Sequence, residues 1–225
     1  MKKSKKKEQI LEGYQKETFY EIDKALEILE KFPKAKFDET VEVHIKTAAN
    51  PKKSEQQIRA SVVLPHGTGK VAKIGAFTTV SQKEAKSAGA DVVGGEDLIE
   101  KIKQTGKIDF NVAVATPEMM PKLAKIAKIL GPRGLMPNPK TQTVGPKIEE
   151  MILALKKGRL DFKSDDGGNV HAPIGKRSFG KEKLLENYKN FVEAVSKNKP
   201  NAVKGKFIKG IALSATMTPG IKISE

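Results

Sequence analysis

The chain has 225 residues and a formal net charge of +15, with 42 Lys and Arg against 27 Asp and Glu. A charge of this size repels itself and usually indicates an anionic partner, of which nucleic acid is the commonest and an acidic membrane surface the main alternative. The chain has no Cys, which excludes disulfides, thiolate metal sites and cysteine nucleophiles, and it has no apolar run near the roughly 20 residues that span a bilayer.

Lysine supplies nearly all of the positive charge, because only four of the 42 basic residues are Arg. A Lys ammonium contacts phosphate as a point charge, whereas Arg can bind guanine through two hydrogen bonds. The charge therefore predicts general attraction to a nucleic-acid backbone and leaves selectivity to other residues. An AT-rich genome would produce the same Lys excess without any function. The four Arg are Arg59, Arg133, Arg159 and Arg177.

The two ends of the chain share one pattern of helices and alternating strands. Ile22, Leu26 and Leu29 recur at helical spacing and predict a helix over 20–31, and alternation of apolar and polar residues predicts a half-exposed strand over 37–45. Further helices are predicted over 8–16, from 81, and over 96–104, 116–130, 148–157 and 181–197. Further strands are predicted over 59–64, 71–77, 90–93, 112–115, 159–163, 169–173 and 205–215.

The middle of the chain differs, because strands and helices alternate there in the order βαβαβα. That order predicts a parallel sheet covered by helices. The simplest arrangement is an insertion: residues 1–67 and 159–225 form a discontinuous α+β domain, and 68–158 form an inserted Rossmann-like α/β domain. Two chain crossings between the domains predict a double hinge. Residues 1–7 are predicted to be a disordered basic tail.

Two short motifs suggest phosphate binding, but neither has the required context. The run Gly67-Thr68-Gly69-Lys70 lacks the Gly that a P-loop needs at position 64 and the Ser or Thr that it needs at 71. The dinucleotide pattern Gly67-x-Gly69-x-x-Ala72 should open a helix, whereas an apolar strand follows here. The alternative interpretation is a flexible crossover between domains.

No constellation in the sequence predicts catalysis. His44, His66 and His171 are dispersed and match no metal-binding pattern, and there is no nucleophile elbow. We therefore predict no catalytic residue, no metal and no cofactor. The basic N-terminus is followed by no apolar stretch, so we expect no secretory signal and a cytoplasmic location.

Three segments carry residues suited to RNA. The run KFDET (36–40) places an aromatic ring beside Lys, which suits base stacking and phosphate contact, although Phe37 would equally cap the core. The run SATMTPG (214–220) offers hydroxyls for ribose or phosphate and Met217 for a base, although an ordinary polar turn has the same composition. The run GPRGLMPNP (131–139) resembles a backbone clamp, although it would equally close its domain.

Motifs over nearly the whole chain from about residue 20 resemble those of the bacterial large-subunit ribosomal protein L-one family, the protein of the mobile stalk beside the tRNA exit site. Each motif is modest alone, but their joint occurrence in family order is highly specific. The motifs are KFDETVEV (36–43), VVLPHGTGK (62–70), GAD (89–91), VGGE (93–96), ILGPRGLMPNPK (129–140) and HAPIGK (171–176).

The resemblance implies the inserted-domain architecture, a place in the large ribosomal subunit and binding to the stalk helices of 23S rRNA, chiefly through the discontinuous domain. It also implies release of deacylated tRNA from the exit (E) site, repression of the chain's own operon mRNA, a monomer when free, and no membrane association. The RNA-binding residues that it implies are Lys36, Phe37, Thr40, His171, Lys176, Thr216, Met217 and Thr218.

One position departs from the family pattern. The family usually has Gly after Thr-Met at the end of the last strand, whereas this chain has Thr218. Gly would allow close backbone approach or a positive φ, so Gly220 is the candidate to compensate. Two other interpretations are a nucleotide-binding α/β enzyme and a membrane-surface protein, and neither explains the co-occurring motifs.

Overall fold

A computed structural model describes residues 14–70 and 73–224 of the chain. The predicted basic tail and most of the predicted helix over 8–16 lie outside the described residues, and 14–16 are not helical. The strands are β1 (Phe19–Tyr20), β2 (Thr40–Thr47), β3 (Arg59–Val63), β4 (Ile74–Phe77), β5 (Val92–Gly94), β6 (Val112–Ala115), β7 (Arg159–Lys163), β8 (Asn169–Lys176), β9 (Ile208–Ala215) and β10 (Ile221–Ile223). The α-helices are α1 (Ile22–Lys31), α2 (Gln82–Ser87), α3 (Glu96–Thr105), α4 (Met120–Leu123), α5 (Ala127–Leu130), α6 (Ile148–Lys156) and α7 (Lys181–Lys197).

The chain divides into two compact units. Unit one takes in the residues up to Gly69 and those from Leu160 onward, and unit two is Lys70–Arg159. The predicted mixed fold class is confirmed, because one unit has a largely antiparallel sheet and the other a parallel one. The assignment of 1–67 with 159–225 as the RNA-binding domain, and of 68–158 as an inserted domain, stays a prediction.

Unit one is built on a five-stranded sheet in the order β1-β10-β9-β2-β8. The central strand β2 pairs antiparallel with both β8 and β9, so segments from the two ends of the chain share one sheet. Val41, Val43 and Ile45 of β2 are fully buried. The intervening residues lie on the opposite, more open face, as the period-two pattern predicts.

Helices α1 and α7 pack over the buried face of this sheet. Leu26 and Leu29 of α1, and Leu184 and Phe191 of α7, join the β2 side chains in one core. Their spacing of three or seven residues places each pair on one side of its helix. The helix predicted over 181–197 is therefore confirmed.

Two short strands of unit one were not predicted. The pair β1 and β10 runs parallel in the register Phe19–Lys222 and Tyr20–Ile223, and the Ser224 amide continues it by donating to the Tyr20 carbonyl at 2.9 Å. Strands of two or three residues are too short for an alternating pattern to be recognised. The predicted helix over 20–31 begins instead at Ile22, because Tyr20 belongs to β1.

In the turn before β8, Asp and Gly have the roles that are typical of turn residues. The Asp165 carboxylate accepts hydrogen bonds from the amides of Gly167 at 2.9 Å and Asn169 at 2.7 Å. The Asn169 side-chain amide donates to the same carboxylate at 3.0 Å, and this bond, followed by the Asn169 backbone bond, holds the pKa of Asp165 down at about 2. Gly168 has a φ of +78°, and a Cβ there would lie 2.5 Å from the Ala49 carbonyl oxygen, so only Gly fits.

Unit two contains the predicted parallel sheet, in the order β5-β4-β6. Its strands are buried on both faces: Phe77 packs with α3 and the segment 119–130, whereas Ile74 and Ala76 pack with α2 and α6. This two-sided burial explains why the strands were continuous apolar runs.

The helix predicted over 116–130 is interrupted. It consists of a 3-10 turn, α4, a second 3-10 turn and α5. Pro121 has no amide hydrogen and therefore lies at the start of α4 rather than inside a longer helix. Neither Thr116 nor Ser81 makes a side-chain capping bond to the helix that follows it.

Candidate nucleic-acid interface

The two chain segments with the strongest RNA character meet at one end of unit one's sheet. The Thr216 amide donates to the Thr40 carbonyl oxygen at 3.1 Å, and the Thr40 amide donates to Thr216 Oγ1 at 3.1 Å. These residues are 176 positions apart in the chain. The antiparallel pairing of β2 with β9, which brings Val41 opposite Ala215, positions both.

Lys176 joins this end from the neighbouring strand β8. Its Nζ donates to Thr40 Oγ1 at 3.0 Å and to the Asp38 carbonyl at 3.1 Å. Gly69 makes room for the Lys176 stem, because a Cβ at Gly69 would lie 2.7 Å from Lys176 Cγ. The Gly67-x-Gly69 motif therefore has a packing reason in this chain.

Two large apolar side chains stay exposed beside these bonded groups. Phe37 is 54% exposed and Met217 is 66% exposed, so the alternative that Phe37 caps the core is wrong. Lys36 is exposed as well. We define the recognition patch as Lys36, Phe37, Thr40, Lys176, Thr216, Met217 and Thr218. It combines cationic, hydroxyl and apolar groups, the combination that suits phosphate, ribose and base contacts.

Thr218 closes the turn at the end of β9. Its amide donates to the Ala215 carbonyl at 3.0 Å, and its Oγ1 accepts from the Ala215 amide at 2.8 Å. The segment is thus a polar turn, as the alternative interpretation proposed, and it also carries the exposed Met217. Within the described ranges, Gln142 is the one non-Gly residue with a positive φ, so the turn forms without a left-handed residue at 218.

Gly220 does not compensate through its backbone conformation, since its φ also lies outside the left-handed region. Its carbonyl oxygen accepts a hydrogen bond from the Tyr14 hydroxyl at 2.5 Å, which fixes the chain just after the turn.

His171 lies apart from the recognition patch. It pairs with His44 in the middle of the sheet, on the same open face as Thr40 but four residues further along β2. At a rise of about 3.3 Å per residue, that separation is on the order of 13 Å. The structure therefore does not bring His171 together with the other predicted residues.

His171 belongs instead to a chain of hydrogen bonds across the open face. Asp165 Oδ2 lies 3.2 Å from His171 Nε2, the two His Nδ1 atoms are 2.8 Å apart, and His44 Nε2 lies 2.9 Å from Ser214 Oγ. Burial, followed by repulsion from His171, lowers the pKa of His44 below its usual value.

The remaining candidate segment, the run 131–139, packs within unit two. In the run 131–139, Leu135 and Met136 pack against unit two's core, which supports the interpretation that this loop closes the domain, while Arg133 is exposed. Among the residues that the structure describes, there is no group of three potential metal ligands. None of the described helices has the length and apolarity to cross a membrane.

The chain is similar to known proteins over most of its length. A model of the ribosomal protein L1p/L10e family matches residues 29–219. The large ribosomal subunit protein uL1 of Thermosipho africanus is 52% identical over 205 residues, which are 91% of this chain and 88% of the relative. The protein of the same description from Kosmotoga olearia is 51% identical, over 92% of this chain and 89% of its own length.

The chain belongs to the ribosomal protein L1p/L10e family. It is accordingly an RNA-binding structural protein of the large ribosomal subunit and not an enzyme, and its location is the cytoplasmic ribosome. Membership in the L1p/L10e family confirms the resemblance drawn from the motifs. It assigns no role to individual residues, so the recognition patch stays a prediction.

Two buried residues beside the patch were not predicted. Arg177 Nη1 and Glu39 Oε2 form an ion pair at 2.6 Å, and their side chains are only 6% and 1% exposed. Glu39 lies in the predicted strand over 37–45 without any feature that distinguishes it from a solvent-exposed carboxylate. The rarity of Arg in this Lys-rich chain could have indicated Arg177, because Arg is preferred over Lys in buried ion pairs.

Proposed function

We propose that the chain binds the stalk helices of 23S rRNA through the recognition patch of unit one. The observation that supports this most strongly is the patch itself. Two segments far apart in sequence are joined by backbone and hydroxyl hydrogen bonds, while Phe37 and Met217 are left exposed beside them. Exposed large apolar groups next to satisfied polar groups are typical of binding surfaces.

Selectivity in this proposal comes from the nearly neutral centre of the patch. The many Lys residues attract any RNA, and that attraction weakens as salt screens it. Phe37 offers a face on which a base can stack, and Met217 an adaptable apolar surface for a base or ribose. The hydroxyls of Thr216 and Thr218 are positioned by their own hydrogen bonds and are suited to ribose 2′-hydroxyls.

The proposal includes two further functions, in tRNA release and in translational repression. We infer that the protein assists release of deacylated tRNA from the E site and represses translation of its own operon mRNA, through an RNA site that mimics the ribosomal one. The resemblance to the family supports both. The division into two units agrees with a mobile role, and we expect a monomer when the protein is free.

The test compares two Phe→Ala variants on two RNAs. Phe37→Ala removes the exposed ring of the patch, and Phe19→Ala removes a ring that is 63% exposed on β1, at the edge strand of the same sheet. We measure dissociation constants for a stalk-helix fragment of rRNA and for an unrelated structured RNA of equal length. Loss of one stacked base corresponds to roughly 10- to 100-fold weaker binding.

Phe37→Ala should lose that affinity for the stalk fragment only, and Phe19→Ala should leave both affinities nearly unchanged. Met217→Ala should behave like Phe37→Ala, with Val80→Ala as its control, since Val80 is an exposed apolar residue of unit two. Equal losses on both RNAs would refute the patch as the source of selectivity.

A further inference from the structure

The buried ion pair beside the recognition patch contacts both of its segments. Arg177 donates to the Glu39 side chain at 2.6 Å, and the Arg177 amide donates to the Glu39 carbonyl at 2.9 Å. The second carboxylate oxygen, Glu39 Oε1, accepts from the Met217 amide at 3.3 Å. The Glu39 side chain therefore connects the segment just before β2 to the turn that carries Met217.

Arg177 is itself held rigidly. Its Nη2 donates to the carbonyls of Leu29 at 2.6 Å and Phe32 at 2.5 Å, at the end of α1. A helix end leaves its last carbonyls without intrahelical partners, so the guanidinium stabilises α1 as well as pairing with Glu39. The position of Glu39 is thus fixed by the body of unit one.

The 36–40 segment has a further attachment to the same place. Ser178, the next residue after Arg177, donates to Asp38 through its hydroxyl at 2.7 Å and through its amide at 3.2 Å. Asp38 and Glu39 are therefore both fixed by the short 3-10 helix Arg177–Phe179. The turn 216–218, in contrast, reaches this anchor through the Met217 amide.

We propose that Glu39, held by Arg177, is a positioning residue that fixes Met217 for RNA recognition. This inference rests on the proposed function, and it deepens it by naming what makes the patch rigid. A buried ion pair is by itself weak evidence for stability, because apolar residues of the same volume often serve as well. The Glu39 carboxylate, however, binds Arg177 with one oxygen and the Met217 amide with the other. An apolar pair cannot make these hydrogen bonds.

Glu39→Gln tests the bond to the Met217 amide while it keeps an acceptor for Arg177. Gln has the same shape, but one of its two terminal atoms is an NH2 donor. The Gln oxygen will face Arg177, because the guanidinium charge favours it, and the NH2 will then face the Met217 amide. Two donors repel each other, so the Met217 amide loses its bond to residue 39, while the hydrogen bonds between Thr40 and Thr216 persist.

The experiment measures binding by the full chain to the stalk-helix fragment and to the unrelated RNA. Glu193→Gln is the matched control, because it makes the same change in charge at an exposed residue of α7 that pairs with Lys197. Glu39→Gln should weaken binding to the stalk fragment about tenfold, the effect of losing one hydrogen bond to a charged group. Binding to the unrelated RNA, and its dependence on salt, should match the control.

A double variant shows whether Glu39 acts through Met217. If it does, Glu39→Gln combined with Met217→Ala should bind the stalk fragment no more weakly than the weaker single variant. Hydrogen exchange of the Met217 amide should also be faster in Glu39→Gln than in the native chain. Additive losses, equal losses on both RNAs, or an unchanged exchange rate would overturn the inference.

Failure of the proposed function has a different result. If the native chain binds both RNAs equally, the proposal for the patch fails, while amide exchange still reports whether Glu39 anchors the turn. If Glu39→Gln does not fold, Glu39→Asp replaces it: the charge that Arg177 needs is kept, but the carboxylate is drawn back by one methylene. The same selective loss is expected, and an unselective one would overturn the inference.

Discussion

The strand ends of the two units offer different surfaces. In open α/β sheets, ligands bind at the carboxyl ends of the parallel strands. In unit two, however, the chain itself occupies that edge: Thr78 Oγ1 accepts from the Ser81 amide at 3.2 Å, and Ala115 exchanges backbone hydrogen bonds with Thr143 and Gly145. The polar groups that these residues place at the edge are therefore bonded within the chain.

In unit one, the start of β2 and the end of β9 form their hydrogen bonds differently. Thr40 and Thr216 bond to each other, yet Phe37 and Met217 remain exposed around them. In unit two, internal hydrogen bonds use the polar groups at the carboxyl ends of the parallel strands. In unit one, internal hydrogen bonds join two segments whose side chains Phe37 and Met217 remain exposed. The two edges thus differ in which side chains stay exposed after the polar groups have found partners.

Removing Arg177, the partner of the buried Glu39, should have the largest effect on stability. Arg177→Met leaves the Glu39 carboxylate buried without its partner, which typically costs about 3–5 kcal/mol. The measurement is the free energy of unfolding from urea denaturation. Lys181→Met is the control, because Lys181 pairs with Asp23 and Glu27 at the surface. Similar losses for the two variants would show that Glu39 and Arg177 are not an essential pair.

One substitution made in both regions should sharpen the comparison. Thr216→Val removes the acceptor of the Thr40 amide, and an unsatisfied buried amide costs roughly 1–3 kcal/mol. Thr116→Val should change stability by less than about 0.5 kcal/mol, because the buried Thr116 Oγ1 has no protein partner within the described part of the chain. Thermal denaturation of both variants provides the test, and a larger loss for Thr116→Val would reverse the comparison.

The smallest expected effect is on pH dependence. Because burial and His171 hold the pKa of His44 below 6.5, the folded chain binds fewer protons there than the unfolded chain. The contribution of His44 to stability is therefore complete above about pH 6.5 and decreases as the pH falls below it. His44→Gln should flatten the stability profile in that window.

The Asp165 carboxylate titrates in a separate pH window and serves as the control. The pKa of Asp165 is about 2, so its contribution should be lost only as the pH falls from about 4 toward 2. Asp165→Asn should leave the profile near pH 6 as it is in the native chain. If His44→Gln left the slope near pH 6 unchanged, the lowered pKa of His44 would be refuted.

The sequence predicted the parts of the fold that repeat a pattern. Alternation over 37–45 and helical spacing over 181–197 identified β2 and α7, because each pattern spans enough residues to be unambiguous. Strands as short as β1 and β10 carry no period. The broken helix around Pro121 was missed because its apolar spacing is the same as that of a continuous helix.

The site was only partly accessible from sequence. Motifs named Phe37, Met217 and their neighbours, but pairing across the sheet is what joins them, and no pattern showed that Glu39 would be buried against Arg177. His171 was grouped with them because its motif is prominent. In the folded chain its position on β8 is set by its register with His44, which the sequence does not state.

The salt dependence of selectivity tests the central claim most directly. That claim is that Lys attracts RNA in general, while the recognition patch selects the stalk helices. Dissociation constants for the stalk fragment and the unrelated RNA are measured from low to physiological salt. Both should rise together, and their ratio should stay at roughly 10³ or more, as in specific complexes. A ratio that falls toward one as salt increases would contradict the account.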